Sequence, residues 1–371
     1  MKKMKKLPYG ALCAAMLLSM TACSNAKATS NTTSLAPATE AVTTGAETTT
    51  AAAETATSKG AEGAGSEEDA WKAEPAYGQT INYFYDGGNC TSAPYFADVL
   101  GYFEEAGLKV QGYNGSSYTE ALGTNAAQLA VGHISTMLVP STNGIDLSFV
   151  AGAHIGCKSL YVLADSGYES TEDLKGLKVS APNGIGASDY NILARFFDKD
   201  GINPLTDVKL TQVENSACVA AMQNGEIAGA LFSDTYAYNM VKDGTLKCIR
   251  SLRDEDFLHE ACCIVAMNTT FIKENPITAK KITECVKKAG DWMRENPEDA
   301  VLKLLDDNKI SGDYDMNVEL WKELEFGLTD EFTETGLKEI VADYIRLGLI
   351  TAYDDPDEVM NIVWTPTAPE K

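Results

Sequence analysis

Histidine is nearly absent from this chain. His133, His154 and His259 are the three in 371 residues, and each falls in a different stretch. A metal centre normally needs four ligands, and these histidines show no paired spacing. One close His/Cys pair exists, His154 with Cys157 in "AGAHIGC". Nothing nearby supplies the third group that would orient Cys157 as a nucleophile. Adjacent Cys262 and Cys263 in a strand point to opposite faces, so only one of them would reach a shared site. The expectation is no metal, no cofactor and no catalytic residue, with His154 and Cys157 as pocket wall.

Basic residues are scarce as well, 30 Lys and Arg against 53 Asp and Glu. Residues 1–23 hold four of those lysines and no acid, which leaves 26 − 53 = −27 for the remainder. Such a chain is repelled by nucleic acid, which excludes that partner. Regular cysteine spacing is also missing. Beyond Cys13 and Cys23 there are seven cysteines, 90, 157, 218, 248, 262, 263 and 285, an odd and irregular set that makes a poor disulfide framework. After the N-terminus no apolar run approaches the roughly 20 residues a membrane helix needs.

What is present begins with an export signal. "MKKMKK" is followed by the apolar "LPYGALCAAMLLSM" and then "TAC", the plan of a secretory signal peptide over 1–23. "MTAC" at 20–23 resembles the bacterial lipobox, with Met20 where Leu is preferred, and that resemblance implies lipidation of Cys23. Residues 24–70 contain thirteen alanines, eleven threonines and no aromatic residue. Such a segment cannot bury enough surface to offset chain entropy, so 24–75 reads as a disordered tether with a reach of about 35–40 Å.

From Thr80 strand-like and helix-like stretches alternate. "INYFYD" leads through "GGN" into "TSAPYFADVLGYFEEAGL", with Ser92 at the N-cap and Pro94 in the first turn. "KVQGYN", "QLAVGH" and "LSFVAGAH" are further strands, and "SLYVLAD" (159–165) is a fifth. A second alternation starts at "LKGLKVSAPNGIGASDYNILARFF" and ends at "CCIVAMN". Two "ENP" triplets, 274–276 and 295–297, each place an Asn N-cap before a Pro at the first helical position. The pattern predicts an α/β protein with mostly parallel sheets flanked by helices, in two lobes joined by crossover strands. Lobe 1 is expected over 76–165 and 268–371, and lobe 2 over 166–267.

"APYFADVLGYFEEAGLKV", "VAGAHIGCKSLYVLADSGYESTEDLKGLKVSAPNGIGASDYNILARFFDKDGINP", "AAMQNGEIAGAL" and the "ENP" helices together resemble the nitrate/sulfonate/taurine and thiamine-precursor group of ABC-transporter substrate-binding proteins, the NMT1/SsuA-like family. The resemblance covers about 80–365. It departs where short "aGxxD" endings are common, because Ser135 and Ala228 stand where Asp is usual. It implies a two-lobed, type II periplasmic-binding-protein-like clamp, not an enzyme. Such a clamp is a lipid-anchored, extracytoplasmic monomer that captures a small solute for a membrane permease. Two alternatives remain: an enzyme like the family's thiamine-pyrimidine synthase, which "HEACC" matches thinly, and a surface adhesion or interaction lipoprotein.

In folds of this kind ligands bind beyond the carboxyl ends of the strands. The candidate residues on the first lobe are Thr91, Ser92, Ser116, Ser117, His154 and Cys157. On the second they are Asn183, Gly184, Gly186 and Ser188 of the glycine loop, with Asn215, Asp234 and Tyr236. Lys158 is the single basic residue in these loops, against Asp86, Asp189, Glu214 and Asp234 and the tyrosines 113, 118, 190, 236 and 238. Carboxylates beside aromatic faces suit a neutral or cationic solute, such as a flat heterocycle or an amine.

Overall fold

A computed structural model describes residues 66–370. The signal segment, Cys23 and the tether up to residue 65 lie outside the described residues. Among the described residues no helix is long and apolar enough to cross a membrane. Residues 66–75, read from sequence as the end of the tether, are ordered. Ser66 and Asp69 form a capping box on the helix Glu67–Lys72. Trp71 is buried and its indole N–H donates to Thr278 Oγ1 at 3.0 Å. The Glu74 carboxylate adds bonds from the Ile277 and Thr278 backbone N–H groups at 2.6 and 2.9 Å, and the Ala76 N–H donates to Asn275 Oδ1 at 2.7 Å.

Ten strands follow: β1 Thr80–Phe84, β2 Lys109–Tyr113, β3 Leu129–His133, β4 Ser148–His154, β5 Lys158–Leu163, β6 Lys178–Ser180, β7 Lys209–Thr211, β8 Gly229–Ser233, β9 Leu246–Ser251 and β10 Cys263–Met267. They form two five-stranded sheets, ordered β2-β1-β3-β10-β4 and β7-β6-β8-β5-β9. In each, four strands point one way and one runs against them, β10 in the first sheet and β5 in the second. The reversed strand is in both cases the one that has just arrived from the other lobe.

This corrects the expected boundaries. β5 belongs to the second sheet, not the first, and β10 completes the first. The crossovers are therefore the short link 155–157 and the segment 252–262. Apolar runs buried on both faces look alike whichever sheet they join, so composition did not separate them.

Both faces of each sheet are covered. The long helix Pro276–Glu295 packs beside Ala93–Val99 on one side of the first sheet, around Phe96, Val265, Ile282 and Trp321. On its other side Met137, Phe149, Ile264, Leu337 and Tyr344 form a second core. Phe196, Phe197, Leu231 and Phe257 fill one side of the second sheet, and Cys218, Met222, Ala230 and Phe232 the other. Asn275 and Asn296 do hold N-cap positions before proline, but neither makes a side-chain cap bond. Their amides instead donate back to Phe271 and Trp292 carbonyls at 3.1 and 2.8 Å.

Candidate functional site

The strands deliver their ends to one edge. β1 leads into Asn89–Ser92, β3 ends at His133, β4 at His154 and β8 at Ser233, while β6 leads into the glycine loop. β5 and β10 run the other way, so their first residues, Lys158 and Cys263, reach the same edge. The lobes touch there. Asn191 Nδ2 of the second lobe donates to the Ser135 carbonyl of the first at 2.7 Å. The Tyr238 hydroxyl donates to Glu319 at 2.5 Å, and Lys242 lies 3.3 Å from the same carboxylate. Arg253, on the second crossover, pairs with Glu323. A narrow cavity beside these contacts is lined by Ser135, Gly156, Arg195, Glu260, Cys262 and Tyr344 among others.

The glycine loop is braced from beneath. Lys158 Nζ donates to Ser188 Oγ at 3.0 Å and pairs with Asp189, all three side chains being buried. The second Asp189 oxygen accepts from the Asn183 backbone N–H at 3.0 Å and its side-chain amide at 2.8 Å. Gly184 and Gly186 take φ of +85° and +83°, which L side chains rarely adopt. Ser188 is the first residue of the helix and not its cap, since Ala187 holds that position. Asn183 and Ser188 thus close the loop, and its single lysine is neutralised.

On the first lobe, Ser117 caps Tyr118–Gly123 by accepting from the Glu120 N–H. Ser92 occupies an N-cap position without making the cap bond; it is fully buried and donates to the Asn89 carbonyl at 2.8 Å. Thr91 donates to the Gly87 carbonyl at 3.3 Å. Ser116, Asn215 and Tyr236 are exposed, and the Tyr236 hydroxyl donates to the Asn215 carbonyl at 3.0 Å. Asp234 is buried, accepts from the Tyr161 hydroxyl at 2.7 Å and lies 3.8 Å from Arg253. Burial and that carboxylate push the Tyr161 phenol well up.

His154 is wholly buried against Phe326, and its Nδ1 donates to the Ile155 carbonyl at 2.9 Å. Cys157 does not stand alone with it. The Cys157 sulfur lies 3.3 Å from Cys262 Sγ and 4.0 Å from His133 Nδ1. Cys262 and Cys263 sulfurs lie 3.4 and 3.6 Å from the same nitrogen. The neighbouring Cys157 thiol and burial together push the Cys90 thiol well up. Bonds from the neighbouring Cys157 and Cys263 thiols bring the Cys262 thiol down to about 6, whereas burial pushes Cys263 well up.

This cluster overturns two expectations. His133 was set apart because it belongs to another element, yet Cys263 stands directly opposite it in the β3–β10 ladder and opposite His154 in the β10–β4 ladder. Cys262 and Cys263 both reach the cluster, because Cys262 precedes the strand and the register shifts just after Cys263. Strict alternation does not hold across such an irregularity. Asn89, Cys90 and Arg253 were missed, His133 was set aside, and Ser135 was noted only as a departure from the family pattern. The available signal was that "QLAVGH" and "LSFVAGAH" both end in histidine at a strand's carboxyl end.

Residues 91–300, more than half of the chain, match the family model described as NMT1/THI5 like. The chain belongs to this family. A Brucella abortus (strain 2308) protein named "Putative binding protein" is 27% identical over 221 residues, 57% of this chain and 66% of that protein, so the match spans just under two-thirds of the relative's length. The alkanesulfonate-binding protein SsuA from Xanthomonas axonopodis pv. citri, bound to MOPS, superposes with a TM-score of 0.62 at 15% identity, covering 79% of this chain and 99% of that one. The nitrate-binding protein NrtA from Synechocystis PCC 6803 does so with a TM-score of 0.58 at 14% identity, covering 78% and 86%. The NMT1/THI5-like chain therefore has the type II periplasmic-binding-protein fold.

Proposed function

We propose that this chain is the extracytoplasmic solute-binding component of an ABC importer, closing its lobes on a small organic solute and presenting it to a membrane permease. The family and the two-lobed fold support a clamp. The observation that carries the reading is a set of buried polar atoms without partners at the strand ends: Asn89 Oδ1, Ser135 Oγ, His154 Nε2 and Asp234 Oδ2. Each such atom costs about 1–3 kcal/mol if left unpaired. A solute carrying its own donors and acceptors offsets that cost on binding.

Charge favours a neutral or cationic solute. Lys158 is already paired with Asp189 and Arg253 with Glu323; Arg253 also stands 3.8 Å from Asp234 Oδ2, too far for a hydrogen bond. The unpartnered groups include a carboxylate oxygen and no cation in the loops that meet here. A desolvated sulfonate or nitrate gains most from a free Arg or Lys. The SsuA and NrtA relatives are described with anionic ligands, and this chain is read as differing from them in that respect.

A thermal-shift screen of the purified chain against alkanesulfonates, nitrate, thiamine precursors, flavins and amines tests this. A ligand of the folded state raises the melting temperature, by mass action alone. Stabilisation by a heterocycle or amine, lost in Asp234→Asn, is the expected result. Stabilisation by alkanesulfonate alone would sink the charge assignment. A chain stabilised by none, and unchanged in small-angle scattering with each, would sink the clamp reading.

A further inference from the structure

The cysteine–histidine cluster has more order than a pocket wall requires. His133 Nδ1 and the sulfurs of Cys157, Cys262 and Cys263 all lie within 4.8 Å of one another. We propose that these four residues form a binding site for a single thiophilic divalent cation, with zinc the best match, at the hinge between the lobes. The proposal is independent of which solute the clamp takes.

Distances support it first. A tetrahedral zinc with sulfur at about 2.3 Å and imidazole nitrogen at about 2.0–2.1 Å sets S···S near 3.8 Å and S···N near 3.6 Å. The observed Cys157–Cys262 separation is 3.3 Å, and the three S···N separations are 4.0, 3.4 and 3.6 Å. Each is within about 0.5 Å of the ideal tetrahedron.

Donor chemistry is the second support. Three sulfurs and one imidazole make the Cys3His set of closed zinc sites, and an all-sulfur-and-nitrogen set discriminates against calcium and magnesium, which take oxygen. The alternative fate of close thiols is a disulfide, but all seven body cysteines are free. The Cys157 and Cys262 sulfurs remain well beyond the roughly 2.05 Å of an S–S bond. Cys157 and Cys263 are buried while His133 and Cys262 are partly exposed, so an ion has a way in.

Placement is the third. His133 ends a first-lobe strand, Cys157 sits on one crossover, and Cys262 with Cys263 closes the other. The β3–β10 register already holds His133 opposite Cys263. A cation here would tie both crossovers to the first sheet and stiffen the hinge. Four protein ligands leave no open position, which makes the site structural and not catalytic.

The test uses the purified full chain, reduced under anaerobic conditions, stripped with a chelator and titrated with cobalt(II) and then zinc(II). One equivalent of cobalt is expected to produce intense thiolate-to-metal and tetrahedral visible bands, which one equivalent of zinc abolishes. Cys157→Ser and Cys262→Ser should each weaken binding by at least ~100-fold, while Cys285→Ser, outside the cluster, leaves it unchanged. Circular dichroism of each variant establishes that it is folded. If the serine variants do not fold, alkylation of the wild type decides: bound zinc should protect three thiols from modification. Folded, reduced protein that gives no such bands overturns the proposal. So do bands that survive in both serine variants, or zinc that protects no thiol.

Discussion

Arg195 and Glu260 form a two-bonded ion pair in which both partners are buried, with Nη1···Oε1 at 2.5 Å and Nη2···Oε2 at 2.8 Å. The same guanidinium reaches across to Asp343, with Nε···Oδ2 at 3.0 Å. It therefore binds a second-lobe helix, Ser188–Lys199, to the crossover and to the first-lobe helix Asp330–Arg346. Removing one member of such a group strands buried charge and costs about 3–5 kcal/mol. Arg195→Met should lose that much in urea unfolding. Arg195→Met with Glu260→Leu and Asp343→Leu should recover most of it. An unchanged midpoint in the single variant would contradict the buried pair.

The contacts at the mouth of the cleft should govern opening more than stability. Arg253 with Glu323, and Lys242 and Tyr238 with Glu319, are partly to largely solvent-exposed. Pairs of this kind contribute about 0–1 kcal/mol to folding. Arg253→Ala combined with Glu319→Gln is expected to change the unfolding free energy by no more than about 1 kcal/mol. It should also enlarge the radius of gyration measured by scattering without solute. Superimposable profiles for the two proteins would count against a latch.

The glycine loop supplies a graded comparison. A Cβ at Gly184 would stand 3.0 Å from Gln212 Oε1, while one at Gly186 would meet nothing within 4 Å. Both residues have positive φ, where a side chain costs about 1–2 kcal/mol. Gly184→Ala should therefore destabilise at least as much as Gly186→Ala and disturb ligand affinity more. The reverse order in thermal unfolding would show that the loop is free to rearrange.

The anchor is tested separately. Cleavage between Ala22 and Cys23 followed by lipidation predicts that fatty-acid label enters the wild-type chain and not Cys23→Ala. Equal labelling of both, or of neither, would remove the anchor from this account.

Strand and helix alternation was legible in the sequence because turn residues and apolar runs are local signals. Lobe membership of β5 and β10 was not, since a strand buried on both faces carries no mark of its neighbours. The glycine loop was found, but the roles of Asn183 and Ser188 depend on Lys158 and Asp189 meeting beneath it. His133 and Cys263 lie 130 positions apart and become neighbours only through an antiparallel register. Spacing rules look along the chain, and that contact runs across it.

The strand order also dictates when each half can be finished. The second sheet draws on one unbroken stretch, residues 158–251, whereas β10 must be inserted between β3 and β4 from residues 263–267. A chain that emerges N-terminus first can complete the second sheet while the first still has a gap between β3 and its edge strand β4. Until residue 267 arrives, β3 and β4 each present an unpaired edge, the kind of surface on which neighbouring chains aggregate.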